Sequence, residues 1–249
     1  MRQRRVSGIE EKLARYSDLI LQPAIESSAG LSPQDTDHRT SSNVPSGRYA
    51  RWYQRSSPRY SLPEGYGRIY AEFGCGRGLF INTLAEWDRD GLYIGVEGCK
   101  TIVYQAIKKT HAAGLKNIFY IDEFINNADT AFDGDSLDGV FLNFSDPWPK
   151  DRHAERRLTA PAKADSYSRI LKPKGFAAFK SDKEAFFDYS MQSFLNAGFE
   201  IESASRDLEL KPEHHVTEVS DFAAAAQTEY EQKFRALGQP VCYFLARKH

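Results

Sequence analysis

The stretch Ser145-Asp146-Pro147-Trp148-Pro149-Lys150 places an acid, an aromatic plane and a cation on one short turn. Pro147 and Pro149 fix their own φ angles and restrict the residues before them, which predicts extended geometry at Asp146 and Trp148. A rigid turn of this kind could hold a nucleobase by its edge, its face and a nearby phosphate. The plain alternative is a proline-rich turn that only caps a strand.

A second constellation lies upstream, where Glu72-Phe73-Gly74-Cys75-Gly76-Arg77-Gly78 ends a short apolar run. Gly74, Gly76 and Gly78 give G-x-G-x-G, not the dinucleotide spacing G-x-G-x-x-G. Closely spaced glycines let the backbone approach a flat or bulky ligand without Cβ clashes, although alone this is a weak signal. The acids that follow strengthen it. Glu97, Asp122 and Asp146 each stand at or just past the end of a strand-like run, and Glu72 stands at the loop itself. Ligands of doubly wound sheets bind beyond the carboxyl ends of the strands, and an acid about twenty residues after the loop, here Glu97, can accept ribose hydroxyls. A carboxylate rim repels a pyrophosphate. It suits a ribose, an ammonium group and a sulfonium, which together make S-adenosylmethionine.

The elements that must position these groups follow from apolar periodicity. Residues 69–73, 92–97, 117–122, 139–144, 176–180 and 241–245 read as buried strands. Helical spacing runs through Leu79, Phe80, Thr83, Leu84 and Trp87, through Ile102, Val103, Ala106 and Ile107, and from Phe186 to Leu195, with a stop at Gly198. Tyr167, Ile170 and Leu171 lead into Lys172-Pro173-Lys174-Gly175, read as a helix stop and turn. Strands alternating with helices predict an α/β fold with a mostly parallel sheet covered on both faces. Loop-rich chemistry before Gly67 divides the chain into a peripheral, partly irregular and basic extension, 1–60, and one domain, 61–249.

Bulk properties narrow the class. The 249 residues carry a net charge of −1, which argues against a generic polyanion binder. Its distribution is uneven, since residues 1–60 hold ten Lys or Arg against six acids. Arg48, Arg51 and Arg55 fall at helical spacing among Tyr49, Trp52 and Tyr53, a pattern that could supplement a grip on RNA or simply form a basic linker. Cys75, Cys99 and Cys242 lack any C-x-x-C pairing, and the adjacent His214 and His215 lack partners at metal spacing, so no metal site is expected. No apolar run is long enough to span a bilayer and no apolar core follows the basic start, so a cytoplasmic protein without a membrane partner is expected. Monomer and homodimer both remain open.

The chain closely resembles the bacterial tRNA (guanine-N7)-methyltransferases over roughly residues 67–245. The resemblance rests on the EFGCGRG loop, Gly95-Val96-Glu97, the LNFSDPWPK run with its continuation Arg152-His153-Ala154-Glu155-Arg156-Arg157-Leu158, Lys180-Ser181-Asp182, and Thr228-Glu229-Tyr230-Glu231. It implies the Rossmann-like, seven-stranded class I methyltransferase fold, S-adenosylmethionine as donor, and a variable-loop guanine of tRNA as acceptor. By resemblance, Glu72, Glu97 and Asp122 hold the donor and Asp146 is shared between donor and active site. Lys150, Asp182, Thr228, Tyr230 and Glu231 correspond to substrate contacts, and Arg152, His153, Arg156 and Arg157 to an RNA-contacting stretch. One departure is that Asp151 and Glu155 interrupt that basic stretch. Guanine N7 carries an in-plane lone pair and no proton, so its methylation needs no base at N7. A carboxylate on the Watson–Crick edge would stabilise the charge that develops on the ring, with Asp146 as first choice and Asp182 or Glu231 as partner. The rival readings are a methyltransferase for another RNA or a small molecule, and a non-catalytic RNA-binding relative.

Overall fold

In the computed structural model, residues 6–24, 58–209 and 219–249 are described. Arg48, Arg51, Arg55 and the Lys211–His215 stretch lie outside the described residues. A seven-stranded sheet has the order β3-β2-β1-β4-β5-β7-β6. Its strands are β1 (Arg68–Phe73), β2 (Gly91–Val96), β3 (Ile118–Ile121), β4 (Leu137–Asn143), β5 (Leu171–Ser181), β6 (Phe199–Ser205) and β7 (Cys242–Lys248). The first five are parallel, and β7 runs antiparallel between β5 and β6.

The helices, in chain order, are α1 (Ile9–Ala14), α2 (Leu79–Trp87), α3 (Lys100–Ala112), α4 (Ala128–Ala131), α5 (Pro161–Ile170), α6 (Glu184–Asn196), α7 (Val219–Ala225) and α8 (Glu229–Ala236). Side chains alternate across each strand, so the sheet has two apolar faces. One buries Ala71, Phe73, Val140, Leu142 and Phe179 with Phe132, Tyr167 and Phe194 from the helices. The other buries Tyr70, Tyr93, Phe141 and Phe176 with Phe80, Val103, Ile107 and Ala223. Among the described residues, no helix is long and apolar enough to cross a membrane.

Two elements differ from expectation. Strand β6 escaped the sequence reading because it is an edge strand whose pattern, FEIESAS, leaves Glu200, Glu202, Ser203 and Ala204 exposed. The Lys172–Gly175 turn lies inside β5: the chain passes from α5 straight into the strand, and the pairing with β4 shifts register as Lys174 takes φ 64°. In the stretch read as a peripheral extension, Leu13, Leu19 and Leu21 are buried. Leu21 N–H donates to Tyr120 O at 2.8 Å, extending the β3 edge, and Ala24 N–H donates to Arg59 O at 2.7 Å.

Candidate active site

Alternation sets the floor of the site. Glu72 lies on the Tyr70 face of β1, Asn143 on the Phe141 face of β4 and Lys180 on the Phe176 face of β5, which is one and the same face. Asn143 Nδ2 donates to Glu72 Oε1 at 2.9 Å. The other oxygen, Oε2, is buried with no partner, and the whole residue is only 1% exposed. Burial, above all, pushes the Glu72 carboxyl up to about 8, with Glu229 and Glu97 adding to it and Asn143 and Lys180 opposing.

The glycine turn above Glu72 requires its glycines. Gly74, Gly76 and Gly78 take φ 78°, 58° and 78°, in the left-handed region that other residues enter at a cost. Gly78 also allows close packing, because a Cβ there would meet Ala106 Cβ at 2.6 Å. A buried network fixes the end of this turn. Asn82 Nδ2 donates to Gly78 O (2.7 Å) and Tyr120 OH (2.9 Å), while Thr110 Oγ1 donates to Asn82 Oδ1 at 2.7 Å. Cys75 is buried, and its burial, followed by the charges of Glu72 and Glu97, raises its thiol pKa.

Glu97 closes the turn from the other side, accepting from Gly76 N–H at 3.3 Å and Cys99 N–H at 2.8 Å. A carboxylate has about four acceptor sites, so Glu97 keeps capacity for a diol. Its pKa is raised by burial against those two backbone bonds, with the Asp146 charge adding to the rise. Asp122, beyond β3, pairs with Lys100 Nζ at 3.4 Å, and Lys100 also reaches Glu10 Oε2 on α1 at 2.9 Å.

Beyond β4, Asp146 is exposed and close enough for its charge to act on Glu97 and on Tyr230. Tyr230 packs 5.3 Å from Phe144 and stacks on Phe234 at 4.4 Å. Its pKa is raised by burial first, then by Asp182. Asp182 pairs with Lys183 at 2.8 Å. The expected extended geometry at Trp148 is corrected: its φ is +39°, and Phe144 takes +49°. Such non-glycine conformations persist only where surrounding contacts enforce them. Arg157 does so here, donating from Nε to Pro147 O at 2.9 Å and from its terminal nitrogen to Trp148 O at 3.1 Å. Its guanidinium also stacks over Tyr189 at 4.2 Å, and Arg157, 9% exposed, braces the turn.

Arg152 and Lys150 are exposed, while Arg156 lies over the Trp148 ring at 5.1 Å and His153 meets that ring edge-on at 5.7 Å. Desolvation and the charges of Arg156, Arg152 and Lys150 lower the His153 pKa.

The T-x-Y-E stretch divides in the same way. Thr228 caps α8, its hydroxyl accepting from Glu231 N–H at 2.9 Å. Glu231, expected at the substrate, is instead 0% exposed. Its Oε2 accepts from Lys180 Nζ at 3.0 Å and its Oε1 from Arg235 Nε at 2.9 Å. Both oxygens are therefore paired inside the protein, and Glu231 holds α8 on the sheet. Lys180, also 0% exposed, donates as well to Ala226 O at 2.7 Å. Asn143, Lys100, Lys180 and Arg235 were missed by sequence reasoning. Of these, Asn143 and Lys180 carried a signal, since each stands within a quoted motif.

Sheet order, glycine turn and carboxylate rim define a Rossmann-like, S-adenosylmethionine-dependent methyltransferase. Solved structures show the same fold. The 16S rRNA methyltransferase KamB matches with TM-score 0.53 at 12% identity, and an antibiotic-related methyltransferase with 0.50 at 18%, each over 74% of this chain and 88% of its own. A family profile described as "Putative methyltransferase" matches residues 67–244. Curated relatives include the tRNA (guanine-N(7)-)-methyltransferases of Bacillus licheniformis, 39% identical over 70% of this chain and 77% of that protein, and of Clostridium kluyveri, 36% identical over 73% and 82%. The chain belongs to the bacterial tRNA (guanine-N7)-methyltransferase family.

Proposed function

We propose that this chain methylates N7 of a variable-loop guanine in tRNA, in the cytoplasm, using S-adenosylmethionine, through a domain spanning 61–249. The observation that carries the reading is the juxtaposition of a buried, half-satisfied carboxylate (Glu72) with the exposed Asp146 across a glycine turn closed by Glu97. The site fits the donor: the partnerless Glu72 Oε2 suits an ammonium group, Glu97 a ribose diol and Asp122 an adenine amino group. When bound, the donor supplies an electrophilic methyl group on a sulfonium.

The remaining work falls to the chain. Asp146 accepts hydrogen bonds from the N1–H and N2–H edge of guanine, with Asp182 nearby. That drives electron density toward N7, stabilises the growing ring charge, and disfavours adenine, which lacks this donor pair. Tyr230 and Phe144 offer an aromatic wall beside Asp146, and Thr228 fixes the helix that carries Tyr230. Lys150, Arg152, His153 and Arg156 face the phosphate backbone, where binding weakens with salt. The test is transfer from labelled donor to bulk tRNA followed by nucleoside analysis. Label in 7-methylguanosine supports the reading; label in another nucleoside, or none, sinks it.

A further inference from the structure

Strand β5 ends at Ser181, and Asp182 and Lys183 follow it before α6 begins at Glu184. The two neighbours differ sharply, since the Asp182 side chain is 9% exposed and that of Lys183 59%. Asp182 Oδ2 is buried and accepts no aligned hydrogen bond, although Lys183 Nζ stands 2.8 Å away as its ion-pair partner. A buried carboxylate oxygen left without a hydrogen bond is costly, so the arrangement suits a donor that arrives with a ligand. Lys183 also lies at the edge of the aromatic wall, 5.9 Å from the Phe234 ring on which Tyr230 stacks. The charges of Asp182, Lys183 and Asp146 all reach the Tyr230 phenol, so these groups share one rim. Lys183 N–H donates to Ser181 Oγ at 3.1 Å, which fixes the backbone and leaves movement to the flexible stem of the side chain.

We propose that Lys183 is a specificity residue for polymeric RNA: it covers Asp182 in the free enzyme and passes to a tRNA phosphate as guanine arrives. The proposal rests on the reading of Asp182 as a partner for the guanine edge. A guanine N–H must compete for Oδ2 with the ammonium standing against it. Moving that ammonium into water loses an ion pair, whereas moving it onto a phosphate exchanges one anion for another. A strand of RNA brings base and phosphate together; a free nucleoside brings the base alone. The exchange thereby ties base recognition to the backbone, and favours guanine in a chain over guanosine in solution.

The experiment uses the full chain with Lys183→Met and Lys183→Arg, a tRNA transcript as substrate and guanosine as competitor. Lys183→Met should lower the salt slope of tRNA binding by about 0.7 to 0.9, the value of one phosphate. Inhibition by guanosine should strengthen about fivefold in that variant, because no cation has to leave Asp182. Lys183→Arg should keep the wild-type slope and the wild-type resistance to guanosine. An unchanged slope in Lys183→Met overturns the proposal. So does a lower slope with unchanged guanosine inhibition, which would leave a phosphate contact only. Asp182→Ala separates the two readings. If it leaves tRNA turnover unaltered, the reading of Asp182 fails and the proposal with it. If turnover falls while Lys183→Met behaves as wild type, the proposal alone fails.

Discussion

On the donor side, Glu72 sits beneath a glycine turn with one oxygen on Asn143, and Glu97 holds the turn through two backbone N–H groups. On the acceptor side, Asp146 is exposed on a turn containing two left-handed non-glycine residues, held in shape by the Arg157 guanidinium. The donor half is rigid because it is buried and hydrogen-bonded before any ligand arrives. The acceptor half is open enough for a large substrate, so its precision comes from supports placed behind it. Those supports are Arg157 under the proline turn and the Lys180–Glu231–Arg235 group under α8.

Breaking the buried support under α8 should therefore have the largest effect. Lys180→Met leaves the buried Glu231 carboxylate with Arg235 alone, and should destabilise the protein by about 3–5 kcal/mol in thermal melting. The double variant Lys180→Met/Glu231→Leu should recover most of that loss, because two buried charges go together. Recovery would confirm a structural pair; a double variant as unstable as the single one would contradict it.

Asp146→Ala should lower kcat by about a hundredfold or more, while donor affinity changes far less. Near-normal transfer with intact donor binding would remove Asp146 from the mechanism. Arg157 and Arg152 then separate support from contact. Arg157→Lys cannot keep both carbonyl bonds and should reduce turnover about tenfold, with the salt slope of tRNA binding unchanged. Arg152→Ala should shift that slope by about 0.9, the value of one phosphate contact. The reverse pattern would exchange their roles.

The smallest effect is a pH dependence. Glu72 has its carboxyl raised from 4.5 to about 8, so between those values the folded chain keeps a proton that the unfolded chain has lost. Its contribution to stability therefore falls as pH rises through that window. Glu72→Gln should flatten the decline in melting temperature between pH 6 and pH 8. In the wild type, S-adenosylhomocysteine binding should tighten over the same range, because an ammonium favours the ionised carboxylate. Equal profiles for wild type and variant would show that Glu72 does not titrate there.

Much of the placement of Glu72, Glu97 and Asp122 was legible in the sequence, because it follows the strand ends: the apolar run around Glu72 also dictates which way Glu72 points. The acceptor half was legible as motifs but not as roles. Glu231 and Arg157 carry the residue types that a substrate contact would need, and the internal partners that each one holds appear only in the fold. Trp148 shows the same limit, since two flanking prolines argued for extended backbone and tertiary contacts imposed a positive φ. Strand β6 was hidden by its exposed edge position.

The account as a whole turns on which atom receives the methyl group. Two transcripts of one tRNA, one with guanine and one with 7-deazaguanine throughout, should be offered with labelled donor to the same enzyme. Label in the guanine transcript and none in the 7-deaza transcript is the result expected for transfer to N7. Equal label in both would contradict it.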